Sequence, residues 1–92
     1  MKRGLIMNKL DNVATVLDDV AAGETVTIRG LPSIVEISTL EEIPRGHKIA
    51  LVDIPVGMDV VKYGFPIGYA LTDILKGSYV HVHNVGSKRT EE

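Results

Sequence analysis

The chain has 92 residues, a formal net charge of −2, no cysteine, no tryptophan and one phenylalanine. A chain this short buries only roughly 60 to 65% of its unfolded surface, so it forms one domain without a deep enclosed pocket, and any site is expected to be a groove completed by another chain, a second copy or a fused domain. Without cysteine there is neither a disulfide framework nor a thiolate metal site, and the scattered positive residues lack the footprint of a nucleic-acid binder. Val, Ile and Leu must fill the core, which favours β structure. The amino end, Met1 to Asn8, starts basic but is too short in apolar residues for a signal peptide. No apolar run approaches the roughly 20 residues that span a bilayer, so the expectation is a soluble, cytoplasmic protein without a membrane partner.

In chain order, Gly4 to Asn8 reads as a first strand, and Asp11-Asn12 as a turn into a second over Val13 to Leu17. A pattern then begins: Leu, any residue, acid, Val or Ile, two residues, Gly, two residues, Val or Ile. It occurs at Leu17–Val26, Leu40–Ile49, Leu51–Val60 and Leu71–Val80. In each copy the acid is expected to cap a short turn, the following aliphatic residue to enter the core, and the glycine to take positive φ before the chain leaves as a strand. The copies are too short and unevenly spaced for a solenoid; they read as a repeated corner. Between the first two, Thr25 to Arg29 and Ser33 to Ser38 are predicted strands around a hairpin turn at Gly30-Leu31-Pro32, with Val26, Ile28, Val35 and Ile37 in alternation. After the third corner, Asp59 to Gly64 is a predicted strand and Phe65 to Ala70 a bend rich in turn-formers. The domain is assigned to residues 1–85 and a flexible polar tail to 86–92.

The chemistry-bearing residues cluster late. In Gly77-Ser78-Tyr79-Val80-His81-Val82-His83-Asn84, strand periodicity would put His81 and His83 on one face and Val80 and Val82 on the core side. The two imidazoles are candidate metal ligands, with His47 or Asn84 completing an open site; a half-exposed strand that merely carries histidines is the plainer reading. In Gly46-His47-Lys48, His47 is a candidate general base and Lys48 a candidate carboxylate binder, against a simply solvated lysine. Lys62 and Tyr63 are candidates for anion recognition or proton transfer. The pairs Asp18-Asp19, Glu41-Glu42 and Glu91-Glu92 read as turn caps and solvated charge.

Three ordered segments, Gly46–Leu51, Val61–Ala70 and Gly77–Asn84, together with Asp11-Asn12-Val13-Ala14, resemble the small SAF domain of sugar-acid dehydratases, above all the N-terminal part of altronate dehydratase, with galactarate dehydratase and the small subunit of sulfolactate sulfo-lyase as relatives. The resemblance implies a mainly β fold, the β-clip, built of short strands with short helical turns. It implies a free-standing small subunit of a hydro-lyase, working with a separate large catalytic subunit to dehydrate an altronate-like sugar acid to a 2-keto-3-deoxy acid, and little activity alone. It further implies a divalent metal, Fe2+ or Mn2+, held partly by His81 and His83 or mainly by the partner. His47, His81 and His83 would then serve acid/base roles, and Lys48, Lys62, Tyr63 and Asn84 would bind substrate. A non-catalytic SAF module that binds ligand or shapes a homo-oligomer, and a sulfolactate sulfo-lyase small subunit, are the alternatives.

Overall fold

Short β-branched runs broken by glycine turns give nine strands and no helix among the described residues, 2–30 and 34–87 of a computed structural model. The short helical turns expected of the fold are hydrogen-bonded turns instead. The strands are β1 (Lys2–Leu5), β2 (Val13–Val16), β3 (Thr25–Arg29), β4 (Val35–Ser38), β5 (Lys48–Ala50), β6 (Asp59–Lys62), β7 (Phe65–Ala70), β8 (Tyr79–Val80) and β9 (Val85–Gly86). A six-stranded sheet runs in the order β4-β3-β1-β2-β5-β8 and a three-stranded sheet in the order β6-β7-β9. Within the larger sheet only β1 and β3 pair in parallel.

The repeated corner organises both sheets. Val20 and Ile43 exchange backbone hydrogen bonds, and so do Ile54 and Ile74, so the first corner pairs with the second and the third with the fourth. The glycine N–H of each corner donates to the carbonyl just before its partner's leucine: Gly23 to Thr39, Gly46 to Val16, Gly57 to Ala70 and Gly77 to Ala50. These four glycines all have positive φ, between 84° and 91°, as the pattern predicts. The central aliphatic residues Val20, Ile43, Ile54 and Ile74 are at most 2% exposed. Burying each contributes about 1.5–3 kcal/mol, more than the roughly 1 kcal/mol net of a hydrogen bond, so the corners are held chiefly by these side chains and aligned by the backbone pairs.

One detail of the corner differs from the sequence reading. In three of the four corners the acid caps the partner's turn rather than its own: Asp19 accepts from the Arg45 N–H, Asp53 from Lys76 and Asp73 from Val56, at 2.8–2.9 Å. A carboxylate at this position points across the antiparallel bridge, where the facing turn presents a free N–H. The neighbouring Asp18 accepts a two-pronged hydrogen bond from the Arg3 guanidinium, which lowers its pKa to about 2.

Two hydrophobic clusters follow from this pairing. One gathers Val20, Ile43, Ala14, Val16, Val26, Ile28, Ile37 and Ile49; the other gathers Ile54, Ile74, Val13, Ala50, Val60, Ala70 and Val80. The central strands feed both by simple alternation. Ala14, Ile49 and Tyr79 face the first cluster while Val13, Ala50 and Val80 face the second.

Several boundaries moved for identifiable reasons. The first strand ends at Leu5, because Asn8 to Asp11 closes on itself: Asn8 N–H donates to the Asp11 carboxylate and Leu10 N–H to the Asn8 side chain. Phe65 to Ala70 is the longest strand rather than a bend. The turn precedes it at Tyr63-Gly64, where φ is 58° and 78°, the two consecutive positive values of a tight hairpin matched to strand twist. Gly68 then leaves room for β9 to approach. The tail assigned to 86–92 begins inside β9, with Gly86 opposite Tyr69. Its remainder beyond Ser87, with Glu91-Glu92, lies outside the described residues, as do Leu31-Pro32 of the expected hairpin turn and the start of its second strand at Ser33.

Gly23→Ala meets open space and is expected to cost about 1–2 kcal/mol from left-handed backbone strain alone. Gly77→Ala has the same strain and also drives a methyl into the Ser38 carbonyl, so its urea midpoint should fall further than that of Gly23→Ala. Asp73→Ala, which strips the Val56 N–H of its acceptor, is expected to lose about 1 kcal/mol in the same measurement.

Candidate functional site

The site lies where β5 and β8 end beside the smaller sheet. Lys48 pairs with Val80 in register, so its side chain shares the face of Val80 and Ala50, toward β7 and β9. Lys48, Ile67, His81, Val82, Val85, Gly86 and Ser87 line an open cleft of about 270 Å³, and among the described residues no carboxylate lines it. Burial lowers the pKa of Lys48, and the nearby Lys62 ammonium lowers it further.

The three histidines converge, but not through a shared strand face. β8 stops at Val80, and His81 to Asn84 form a turn closed by Asn84 N–H donating to the His81 carbonyl. Val82, expected on the core side, is therefore 76% exposed. The rings gather around Tyr79. The Tyr79 hydroxyl lies 2.9 Å from His47 Nδ1, the His81 ring stacks on Tyr79 at 5.5 Å and 8°, and the His83 ring sits 5.5 Å away on a tilt. His47 and His81 meet edge to face at 4.8 Å. Partial desolvation, with His47, Lys48 and His83 as neighbouring positive groups, lowers the pKa of His81 below its ordinary 6.5.

Asn84 is buried, and its amide closes the turn: the carbonyl accepts from His81 N–H and the NH2 donates to the Tyr79 carbonyl, both at 2.9 Å. Tyr63 stands at the hairpin tip, 54% exposed, with the Lys62 ammonium 4.8 Å from its ring centre. Neither residue lines the cleft.

Two kinds of supporting residue had no site role in the sequence reading. Tyr79 is the contact shared by all three imidazoles; its position two residues before His81 was the available signal. Asp11 and Asn12 clamp the hairpin that carries Lys62 and Tyr63. Asp11 accepts from Gly64 N–H, while Asn12 accepts from Val61 N–H and donates to the Asp59 carbonyl. Glu41, read as a turn cap or solvated charge, accepts from Tyr79 N–H and so anchors the ring cluster.

The donor set does not fit a self-sufficient metal centre. Among the described residues no three His, Asp or Glu side chains are arranged to hold one ion. His47 Nδ1 is engaged with the Tyr79 hydroxyl, and the His83 ring packs against the ring of the same tyrosine.

A small β domain with an open cleft lined by Lys48 and His81, beside a cluster of imidazoles around Tyr79, is thus the class of protein described by these features. Its sequence belongs to the family of the altronate/galactarate dehydratase SAF domain, which it matches over residues 2–88. The chain is 46% identical over 78 residues to altronate dehydratase of Escherichia coli (strain K12), covering 85% of this chain and 15% of that protein. It is 45% identical to altronate dehydratase of Bacillus subtilis (strain 168), over 91% of this chain and 16% of the relative. It is also 36% identical to the (2R)-sulfolactate sulfo-lyase subunit alpha of Chromohalobacter salexigens, over 80% of this chain and 81% of that subunit. The chain thus spans about one sixth of the dehydratases it matches and most of the sulfo-lyase subunit.

Since folding favours neutral His81, stability should decline as pH falls from 6.5 through the lowered value. An NMR titration of the imidazoles should find the His81 midpoint below 6.5, and Lys48→Ala should move it upward by removing a facing positive charge.

Proposed function

We propose that this chain is the small subunit of a hydro-lyase that, with a separate large catalytic subunit, dehydrates an altronate-like sugar acid to a 2-keto-3-deoxy acid in the cytoplasm. The observation that carries this reading is the meeting of Lys48 and His81 in a cleft that no carboxylate lines among the described residues, with Lys62 and His47 beside them. Removing a proton next to a carboxylate needs positive charge to stabilise the enediolate, and loss of the β-hydroxyl needs a proton donor. Lysines suit the first task and imidazoles the second. Lys48 binds the substrate carboxylate, with Lys62 adding positive charge beside it, and His81 faces the reacting carbons, with His47 against its edge as the second acid/base group. Tyr63, on the hairpin tip, and the His83–Asn84 turn meet the partner-side end of the substrate.

A second body over the cleft is supported by the exposed apolar residues that line it, Ile67 and Val82, which are 44% and 76% exposed. On this reading the divalent metal, Fe2+ or Mn2+, is held mainly by the large subunit, consistent with the lack of a three-ligand set among the described residues of this chain. Similarity to a protein named as a subunit, over 81% of that subunit, supports the split arrangement. The same similarity favours a second reading, the alpha subunit of a sulfolactate sulfo-lyase, whose sulfonate and carboxylate are likewise anions suited to the lysine pair.

Altronate, galactarate and sulfolactate are offered to the chain alone and mixed with its large-subunit candidate, with ferrous or manganous ion. Turnover is expected only in the mixture, with Lys48→Ala raising KM for the acid by about 10- to 100-fold, as loss of a charged hydrogen bond implies. Turnover of sulfolactate alone among the acids selects the second reading. A stable complex without turnover of any acid points to a non-catalytic module, and robust turnover by the chain alone refutes the two-subunit arrangement.

A further inference from the structure

Tyr79 is fixed from several sides. Its N–H donates to the Glu41 carboxylate, its carbonyl accepts from the Asn84 amide, and it sits opposite Ile49 in the β5–β8 ladder. A backbone held this firmly leaves the phenol little freedom, and its hydroxyl lies 2.9 Å from His47 Nδ1. Either group can be the donor in such a contact, so the chemistry of the atoms decides. A phenolic oxygen is a poor acceptor, because its lone pair is delocalised into the ring, whereas an unprotonated imidazole nitrogen is a strong one. The phenol O–H therefore donates to Nδ1, and in neutral His47 the proton resides on Nε2.

We propose that Tyr79 is a positioning residue that locks His47 as the Nε2–H tautomer, making this imidazole a hydrogen-bond donor to an oxyanion ligand and not a metal ligand. A metal at Nε2 would require that nitrogen to be bare, with the proton moved to Nδ1 and the phenol turned into an acceptor. A carboxylate oxygen needs no such rearrangement. His47 does not itself line the cleft, but it meets His81 at 4.8 Å, and His81 lines the cleft with Lys48, so an anion held against His81 lies next to this donor. The aldonate as ligand rests on the proposed function; the tautomer rests only on the geometry of this chain.

The test is nitrogen-detected NMR of the histidine side chains in the full chain near neutral pH. In the wild type, His47 Nε2 is expected in the protonated range and Nδ1 in the unprotonated range. Tyr79→Phe keeps the stacked ring but removes the hydroxyl, and should shift His47 toward a mixture of tautomers. A wild-type spectrum with the proton on Nδ1 overturns the proposal, as does a Tyr79→Phe spectrum identical to the wild type. Gluconate, a simple aldonate, should perturb the Nε2–H resonance, with an apparent Kd about fivefold or more weaker in Tyr79→Phe; no response overturns the donor role. Mn2+ added alone should not selectively broaden His47, and selective broadening overturns the claim that it is no metal ligand. Absence of dehydratase turnover in the mixed complex, with the tautomer and gluconate response intact, removes the dehydratase reading and leaves this assignment standing.

Discussion

Everything in this domain depends on the reciprocal pairing of corners. A ten-residue turn unit cannot bury its own aliphatic residue, since its backbone would be left with unsatisfied donors and acceptors. Two units facing each other solve both problems together. Val20 and Ile43, or Ile54 and Ile74, trade backbone hydrogen bonds, each glycine N–H finds the carbonyl before its partner's leucine, and the aliphatic side chains close a dry centre. The strands enter and leave these paired corners, so the sheets inherit their positions from them. This is how a chain with one phenylalanine and no tryptophan builds two hydrophobic clusters from β-branched residues.

The site is a by-product of the same alternation. β2, β5 and β8 lie between the clusters and send successive side chains to opposite faces. Tyr79, with Ile49, is directed to one side, where the phenol meets His47, while Lys48, with Val80, is directed to the other. The turn after Val80 brings His81 across the end of the sheet, where it touches His47 and also lines the cleft with Lys48. One buried amide, Asn84, holds that turn. Positive and imidazole groups collect where two sheets end, and their mutual repulsion with partial desolvation keeps Lys48 and His81 easier to deprotonate than in water.

That arrangement is chemically incomplete in a way that agrees with its family. The cleft is open, its lining carries exposed Ile67 and Val82, and the described residues contain no three-ligand metal set. In the dehydratases it resembles, the matching segment is about one sixth of the protein.

Much of the architecture was legible in the sequence because it repeats. The corner pattern marked the positive-φ glycine and the buried aliphatic residue of each of its four copies, since positive φ and full burial each restrict residue type strongly. Thr25 to Arg29 as a strand and the SAF-domain family were equally legible. What the sequence could not reveal was which corner faces which, and hence that Asp19, Asp53 and Asp73 cap the turns of their partners: Asp19 and Arg45, or Asp73 and Val56, are brought together only by tertiary pairing. The histidines were visible as a group, but periodicity assumed a strand through His83, whereas the buried Asn84 amide bends the chain after Val80. Composition and local spacing therefore determined the units of this protein. Long-range hydrogen bonds between groups far apart in the chain decided the site, placing Tyr79 against His47 and Asp11 against Gly64.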